Sequence, residues 1–130
     1  MNQIIFQEKY PIYTLELNKS ETTCTNLDDI VTHFKTMIEQ TPVVQFIGVF
    51  DHYNHTKNTE DGFIDPKIKD ARNILFCFGK DIKDPVMLAL RPRSMGLVEL
   101  ENSFMIAFME TPNPVANTAM EAWSKALKNA

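Results

Sequence analysis

The chain has 130 residues, of which 44% are hydrophobic and 10% aromatic, and this composition suffices to fill one hydrophobic core. Thirteen basic side chains against seventeen acidic ones give a formal charge of −4, which offers no basic field for a phosphate backbone. We therefore expect one folded domain over residues 1–130 that has no nucleic-acid partner.

The sequence contains no segment that resembles a membrane anchor or an export signal. No run approaches the roughly 20 apolar residues that a spanning helix needs. The residues Met1 to Glu8 lack a basic region followed by an apolar stretch of signal length. Cys24 and Cys77 are accordingly expected to remain free thiols. These features predict a cytoplasmic protein without a membrane partner.

The first half of the chain predicts a strand, a helix and a second strand. Side chains alternate in character from Lys9 to Leu17, which is typical of a strand with one buried face. Asn26 then precedes a helix whose apolar positions recur every three or four residues as far as Ile38. The β-branched and aromatic run Val43 to Phe50 predicts a strand that leads directly into Asp51 to His55.

The second half predicts a long loop followed by more strands. Residues 56–70 are polar and rich in turn-forming residues, which indicates a loop of about fifteen residues. The apolar runs Ile74 to Phe78, Gly96 to Leu100 and Phe104 to Phe108 are typical of strands, and the last two form a hairpin. Between the first two runs, prolines limit any helix to about two turns.

A final helix is predicted to begin with Asn113 as its cap and Pro114 at its first position. The resulting order is strand, helix, strand, strand, short helix, strand, strand, helix. This order predicts an α+β fold, with a single mostly antiparallel sheet and two main helices packed on one face. An exposed edge strand and the apolar residues Ile4, Ile5 and Phe6 further predict a homodimer.

A carboxylate and two imidazoles, those of Asp51, His52 and His55, fall within five residues. A carboxylate can orient an imidazole for acid/base catalysis, and imidazole is a common transition-metal ligand. The same residues also suit hydrogen-bonded surface groups, because no third ligand follows at a recognised spacing. Catalysis, metal or haem contact and a surface role therefore stay open, and we predict no cofactor and no resident metal.

Arg91 and Arg93 flank Pro92, whose fixed φ restricts the directions of the two guanidinium groups. A planar guanidinium matches the geometry of a carboxylate or a phosphate, which favours an anion site. Solvent exposure is one alternative reading. The other is ion pairing within the chain, for which the candidate carboxylates are Asp81, Asp84 and Glu99.

Some of these local patterns also occur in a known family. A strand ends in the pair Asp51-His52, a polar segment follows, and a later strand runs into the turn Phe78-Gly79. A short helix that contains Met87 and two hairpin strands come next. In these respects the chain resembles the bacterial family named domain of unknown function 302, or a separate uncharacterised bacterial family. The resemblance implies a compact α+β domain that acts as a dimer, and it implies no established activity.

The leading hypothesis is a non-enzymatic cytoplasmic module that binds a small anionic or amphipathic ligand. Its site would lie between the strand exit Asp51 to His55 and the segment Met87 to Arg93, where a sheet end meets a short helix. One alternative is an enzyme in which His52, positioned by Asp51, moves a proton. Another is a metal or haem protein that uses His52 and His55. The leading hypothesis and the enzyme alternative both require imidazole and guanidinium groups to face one hollow.

Overall fold

The structure is a computed structural model that describes residues 1–129. Within these residues six strands occur: β1 (Asn2–Phe6), β2 (Tyr10–Asn18), β3 (Gln45–Phe50), β4 (Asp70–Cys77), β5 (Arg93–Glu99) and β6 (Ser103–Met109). The α-helices are α1 (Leu27–Glu39), α2 (His52–Lys57) and α3 (Pro114–Lys125), and 3₁₀ helices span Lys19–Glu21 and Pro85–Leu90. The strands form one antiparallel sheet in the order β1-β2-β6-β5-β4-β3. The predicted α+β fold is therefore confirmed.

The hydrophobic core lies between one face of the sheet and the helices α1 and α3. In β4, β5 and β6, alternate side chains point toward these helices and are buried, as the two-residue period of a strand requires. The apolar stripes that the sequence predicted for α1 and α3 supply the other half of the core. Its fully buried side chains include Ile30, Phe34, Ile74, Phe76, Leu97, Ile106 and Met120.

Trp123 of α3 connects three parts of this core. Its ring meets Phe76 of β4 edge-on and stacks on Phe78, with ring centroids 5.5 Å apart in both pairs. Its indole Nε1 donates to the hydroxyl oxygen of Thr41, just beyond α1, at 3.2 Å. Its carbonyl oxygen accepts from Nε2 of His33 on α1 at 2.8 Å. Trp123 therefore fixes α3 to both α1 and the sheet.

Both long helices begin where the sequence predicts. The Asn26 side chain accepts from the backbone N–H of Asp29 at 2.9 Å and caps α1. The Asn113 side chain accepts from the backbone N–H of Val115 at 3.1 Å and caps α3, whose first residue is Pro114. These bonds satisfy backbone donors that have no partner within the helix, and each cap is worth about 1 kcal/mol.

β1 is a strand that no sequence pattern predicted. The segment forms an edge strand on β2, and every one of its residues is exposed. A strand that is exposed along its whole length carries no alternation between polar and apolar positions. The turn into β2 uses Gln7 and Glu8 at φ values of 53° and 61°, positions that glycine or asparagine ordinarily signals. Both local signals of a hairpin were therefore absent.

The exit of β3 also differs from its prediction. The strand ends at Phe50 as predicted, but the following residues form the short helix α2, which the predicted order of elements lacks. Asp51 caps this helix, because its side chain accepts from the backbone N–H of Asn54 at 3.1 Å. β3 begins at Gln45, two residues later than expected, since Val43 lies at a φ of 71° that a strand does not allow.

The second face of the sheet, which we call the open face, points away from α1 and α3. The register of the strand pairs places alternate side chains of all six strands on it. The side chains at the centre of the open face belong to the inner strands of the sheet, yet each of them keeps some exposed surface. The central residues are Thr14, Ala71, Asn73, Leu75, Gly96, Val98, Met105 and Ala107.

The one-sided core makes a direct prediction about stability. Ile106 of β6 has no exposed surface, so Ile106→Ala leaves a cavity and is expected to lower the free energy of unfolding by about 2–5 kcal/mol. Val115 of α3 is 73% exposed, and Val115→Ala is expected to change it by less than about 0.5 kcal/mol. Urea unfolding of the two variants measures both. Equal losses would contradict this assignment of the core.

Candidate functional site

A cavity of about 290 Å³ opens at the end of the sheet where β4 finishes and β5 begins. Its walls come from the end of β4, the 3₁₀ helix Pro85–Leu90, the start of β5 and the first turn of α3. We call it the arginine pocket. Its lining consists of Phe78, Gly79, Met87, Leu90, Arg91, Arg93, Thr111, Pro112, Asn113 and Ala116. Three of the predicted ligand-binding residues, Met87, Arg91 and Arg93, therefore share one hollow.

Arg91 is held against the turn that follows β4. Its Nη1 donates to the backbone carbonyl oxygen of Asp81 at 2.6 Å. The guanidinium occupies the space that a side chain on Gly79 would need, since a Cβ there would lie 2.6 Å from Nη1. Gly79 therefore provides room for Arg91, a role that its predicted place in the turn after a strand did not indicate.

Arg93 is anchored on the other side of the pocket by β6. Its Nη2 donates to the backbone carbonyl oxygens of Met109 at 2.9 Å and Glu110 at 3.2 Å. Burial lowers the pKa of the Arg93 guanidinium from its ordinary value, because part of its hydration is lost. The group still carries its charge at neutral pH, because arginine does not deprotonate in proteins.

Neither arginine has a carboxylate partner among residues 1–129. The three acidic residues that the sequence offered as partners are engaged elsewhere. Asp81 lies 3.7 Å from Lys83, Glu99 lies 2.8 Å from Lys19, and the Asp84 side chain accepts from the N–H of Val86 at 2.8 Å. The guanidinium groups of Arg91 and Arg93 are therefore hydrogen-bonded to neutral backbone carbonyl oxygens, and no carboxylate in the described part of the chain neutralises their charges.

The remaining pocket walls are mostly apolar. The Phe78 ring continues the hydrophobic core because it stacks on Trp123. The polar side chains at the start of α3 are occupied with one another: the hydroxyl of Thr111 donates to the carbonyl of Asn113 at 2.9 Å, and its backbone N–H donates to Asn117 at 2.9 Å. Arg91 and Arg93 are therefore the charged groups of an apolar hollow.

The cluster Asp51, His52 and His55 lies at the opposite end of the sheet. Both imidazole rings lie against the Phe50 ring, with centroids 5.3 Å from it and 5.9 Å from each other. All three residues of the cluster are exposed. His52 Nδ1 shares a hydrogen bond of 3.0 Å with the Thr56 hydroxyl.

Asp51 does not orient His52. One Asp51 oxygen accepts from the backbone N–H of Asn54 and the other from the Asn54 side-chain amide at 2.7 Å. The same side-chain amide is the main reason that the pKa of Asp51 is lowered from its ordinary value. The carboxylate acts as a helix cap, so the acid/base pair that the sequence suggested is not formed.

The expected convergence of the imidazole and guanidinium groups is wrong. Phe50 pairs with Asn73 of β4, whereas Arg93 pairs with Phe76. Three residues and two strand spacings, about 10 Å in each direction, therefore separate Phe50 from Arg93. His52 and His55 follow Phe50, and Arg91 precedes Arg93, so the two clusters lie toward opposite ends of the sheet. Because β3 and β4 are antiparallel, the chain leaves these two strands at opposite ends of the sheet, and the sequence analysis had placed both exits at one end.

The structure also bears on metal binding by His52 and His55. Within residues 1–129, no group of three or more His, Cys, Asp or Glu side chains is arranged to hold a metal ion. The metal or haem alternative therefore rests on two exposed imidazoles. In the same part of the chain, no helix has the length and apolar character needed to cross a membrane.

The fold and the pocket define a small α+β protein with two arginines in an apolar hollow. Residues 1–129 match the model of the family of unknown function DUF6858, and the chain belongs to this family. Searches among curated proteins and solved structures gave no match. Membership of an uncharacterised family agrees with the sequence interpretation. The match does not name domain of unknown function 302, so it gives no support to the resemblance to that family.

The role of Asp51 as a cap predicts its pH behaviour. Because its folded-state pKa is lowered, the carboxylate stabilises the fold above the ordinary aspartate pKa of about 3.9 and stops doing so as the pH falls through the folded value. We expect Asn54→Ala to return this pKa toward the ordinary value, whereas His52→Gln leaves it in place. NMR titration of the Asp51 carboxyl carbon measures both. The reverse result would restore a pair between Asp51 and His52.

Proposed function

We propose that the protein binds a small amphipathic anion in the arginine pocket and performs no chemistry on it. The observation that carries this proposal is the pair of guanidinium groups without carboxylate partners in an otherwise apolar cavity. Charged groups that lose hydration are stabilised by a counter-charge, and a ligand carboxylate or phosphate would supply it.

The shape and composition of the pocket limit the ligand. A cavity of about 290 Å³ lies at the small end of the range for ligand sites, which favours a compact molecule. The anionic group would lie between Arg91 and Arg93, and the apolar part would contact Phe78, Met87 and Leu90. Methionine adapts its shape to varied partners, so the proposal does not require one particular apolar group.

The surrounding charge makes this site distinctive within the protein. The chain carries a net charge of −4, so most of its surface disfavours anions. Arg91 and Arg93 reverse this locally because both are fixed by backbone carbonyls and neither is neutralised. A hydrogen bond to a charged group contributes about 1.5–3 kcal/mol, which corresponds to at least a tenfold preference for an anion over a neutral analogue.

The two alternatives from the sequence have less support. The enzyme alternative required Asp51 to position His52, and the oxygens of Asp51 contact Asn54 instead. The metal or haem alternative stays a prediction based on His52 and His55 alone. A cytoplasmic location is kept as part of the proposal, and the free thiols Cys24 and Cys77 support it, since thiols persist in a reducing compartment.

Ligand binding can be tested with a panel of small carboxylates that carry aliphatic or aromatic bodies, the matching neutral amides, and inorganic phosphate. We expect carboxylates to raise the melting temperature of the wild type, with amides at least tenfold weaker by calorimetry. Arg91→Gln and Arg93→Gln should each weaken carboxylate binding about tenfold or more, because each removes a charge-assisted hydrogen bond.

Lys80→Gln is the matched control for these variants. Lys80 is exposed and adjoins Gly79, but it is not part of the pocket lining. The Lys80→Gln substitution removes one positive charge near the site, as the arginine variants do. Because salt screens an exposed charge outside the pocket, we expect carboxylate affinity to change less than about twofold at physiological salt. If no ligand class stabilises the wild type more than the double variant Arg91→Gln, Arg93→Gln, the proposed function is refuted.

Gly79→Ala offers a second test that keeps both charges. The new Cβ would displace the end of the Arg91 side chain, which is flexible, so we expect a stability change below about 1 kcal/mol. Carboxylate affinity should nevertheless fall several-fold, because the guanidinium loses its fixed position. Gly48→Ala is the control, since a Cβ at Gly48 would have no neighbour within 4 Å. Unchanged affinity in Gly79→Ala would show that the placement of Arg91 is irrelevant.

A further inference from the structure

The open face carries very few charges and several large apolar side chains. Among the strand residues whose register points to it, Glu16 alone is charged, and its Oε2 accepts from the Ser103 hydroxyl at 3.1 Å. At the rim of this face, large apolar side chains are 42–49% exposed. They are Ile4, Phe6, Phe50 and Met109. Ile4, Phe6 and Met109 lie toward the β1 side of the sheet, and Phe50 lies at the β3 edge. Exposed apolar groups of this size often mark an interaction surface.

The face has a definite relief that follows from its sequence. A row of small residues crosses the middle strands, in which Thr14 pairs with Ala107, Ala107 with Gly96, and Gly96 with Asn73. We call this row the trough. Beside it runs a second row, in which Met105 of β6 pairs with Val98 of β5. These two larger side chains form its centre, and Glu16 and Ala71 stand at its two ends. We call this second row the ridge.

An open hollow of about 360 Å³ adjoins the trough on the side away from the ridge. It reaches from Ile12 and Met109 to the end of the 3₁₀ helix at Leu90, and both Gly96 and Ala107 belong to its lining. The trough is therefore an accessible depression of the surface.

We propose that the open face is the interface of a homodimer, with the ridge of each copy lying in the trough of the other. A two-fold axis brings the same patch of both copies together, so a patch that carries both a projection and a matching depression is self-complementary. The scarcity of charge favours a partner surface that also carries few charges, and a second copy provides one. Antiparallel sheets pack face to face in this way at about 10 Å.

The size of the face agrees with this occupant. Six strands at about 4.8 Å spacing and about six residues at 3.3 Å give a surface of roughly 24 by 20 Å. That is about 500 Å² in projection, and side-chain corrugation raises the accessible area toward the about 800 Å² per partner of a stable interface. The proposal thus moves the predicted dimer contact from the edge residues Ile4 to Phe6 to the whole open face.

Sedimentation velocity of the full chain tests this inference independently of any ligand. We expect the wild type to sediment at twice its mass of 14.9 kDa at micromolar concentration. Gly96→Val fills the trough, and its Cβ would meet no atom closer than the Ala107 carbonyl oxygen at 3.7 Å, so the protomer should fold normally. This variant is expected to weaken dimerisation at least tenfold.

Two further variants make the result decisive. Met105→Glu places a charge on the ridge and should give a monomer, because a buried unpaired carboxylate opposes association. Val115→Glu adds the same charge to an exposed site on α3, away from the open face, and should leave the dimer intact. A wild type that stays monomeric at 100 μM overturns the proposal, whether or not small ligands occupy the trough. A dimer that survives both Gly96→Val and Met105→Glu overturns it as well.

Discussion

The contact of Trp123 with Phe76 and Phe78 is the interaction on which the rest of the structure depends. Phe76 belongs to the buried face of the sheet, whereas Phe78 is a wall of the arginine pocket, so one indole ring supports both. The Trp123 indole donates to Thr41 just beyond α1, and the Trp123 carbonyl oxygen accepts from His33 in the middle of α1, so both the helix and the residues after it join the arrangement. The pocket is thereby built on rigid core elements, which is the condition for holding charged groups in a fixed geometry.

The fold was largely predictable because its main signals are local. Asn26 and Asn113 cap their helices through contacts within three residues. Alternation predicted β2, and short apolar runs predicted β4, β5 and β6. The prediction failed where such signals are missing or ambiguous. β1 is exposed throughout, and a capping Asp51 looks the same in sequence whether extended chain or a helical turn follows it.

The site was predictable only where its residues are neighbours in the chain. Met87, Arg91 and Arg93 share a pocket because one short segment carries them. Residues Thr111 to Ala116, at the start of α3, form another wall of this pocket. They are distant in the chain from Arg91, and no local sequence pattern predicts that they lie beside it. The histidines were misplaced because the direction of each strand in the sheet is a tertiary property. The predicted antiparallel sheet did not specify that β3 pairs directly with β4, and this pairing is what separates the two clusters.

Leu90 and Arg93 line the arginine pocket on one side and the hollow of the open face on the other. These two residues separate the two cavities, so a molecule that displaces them in one cavity also changes the shape of the other. Thermodynamic reciprocity then requires each occupant to change the affinity of the other by an equal factor. If the proposed ligand and the proposed dimer both form, binding at the arginine pocket and association through the open face are therefore coupled through Leu90 and Arg93.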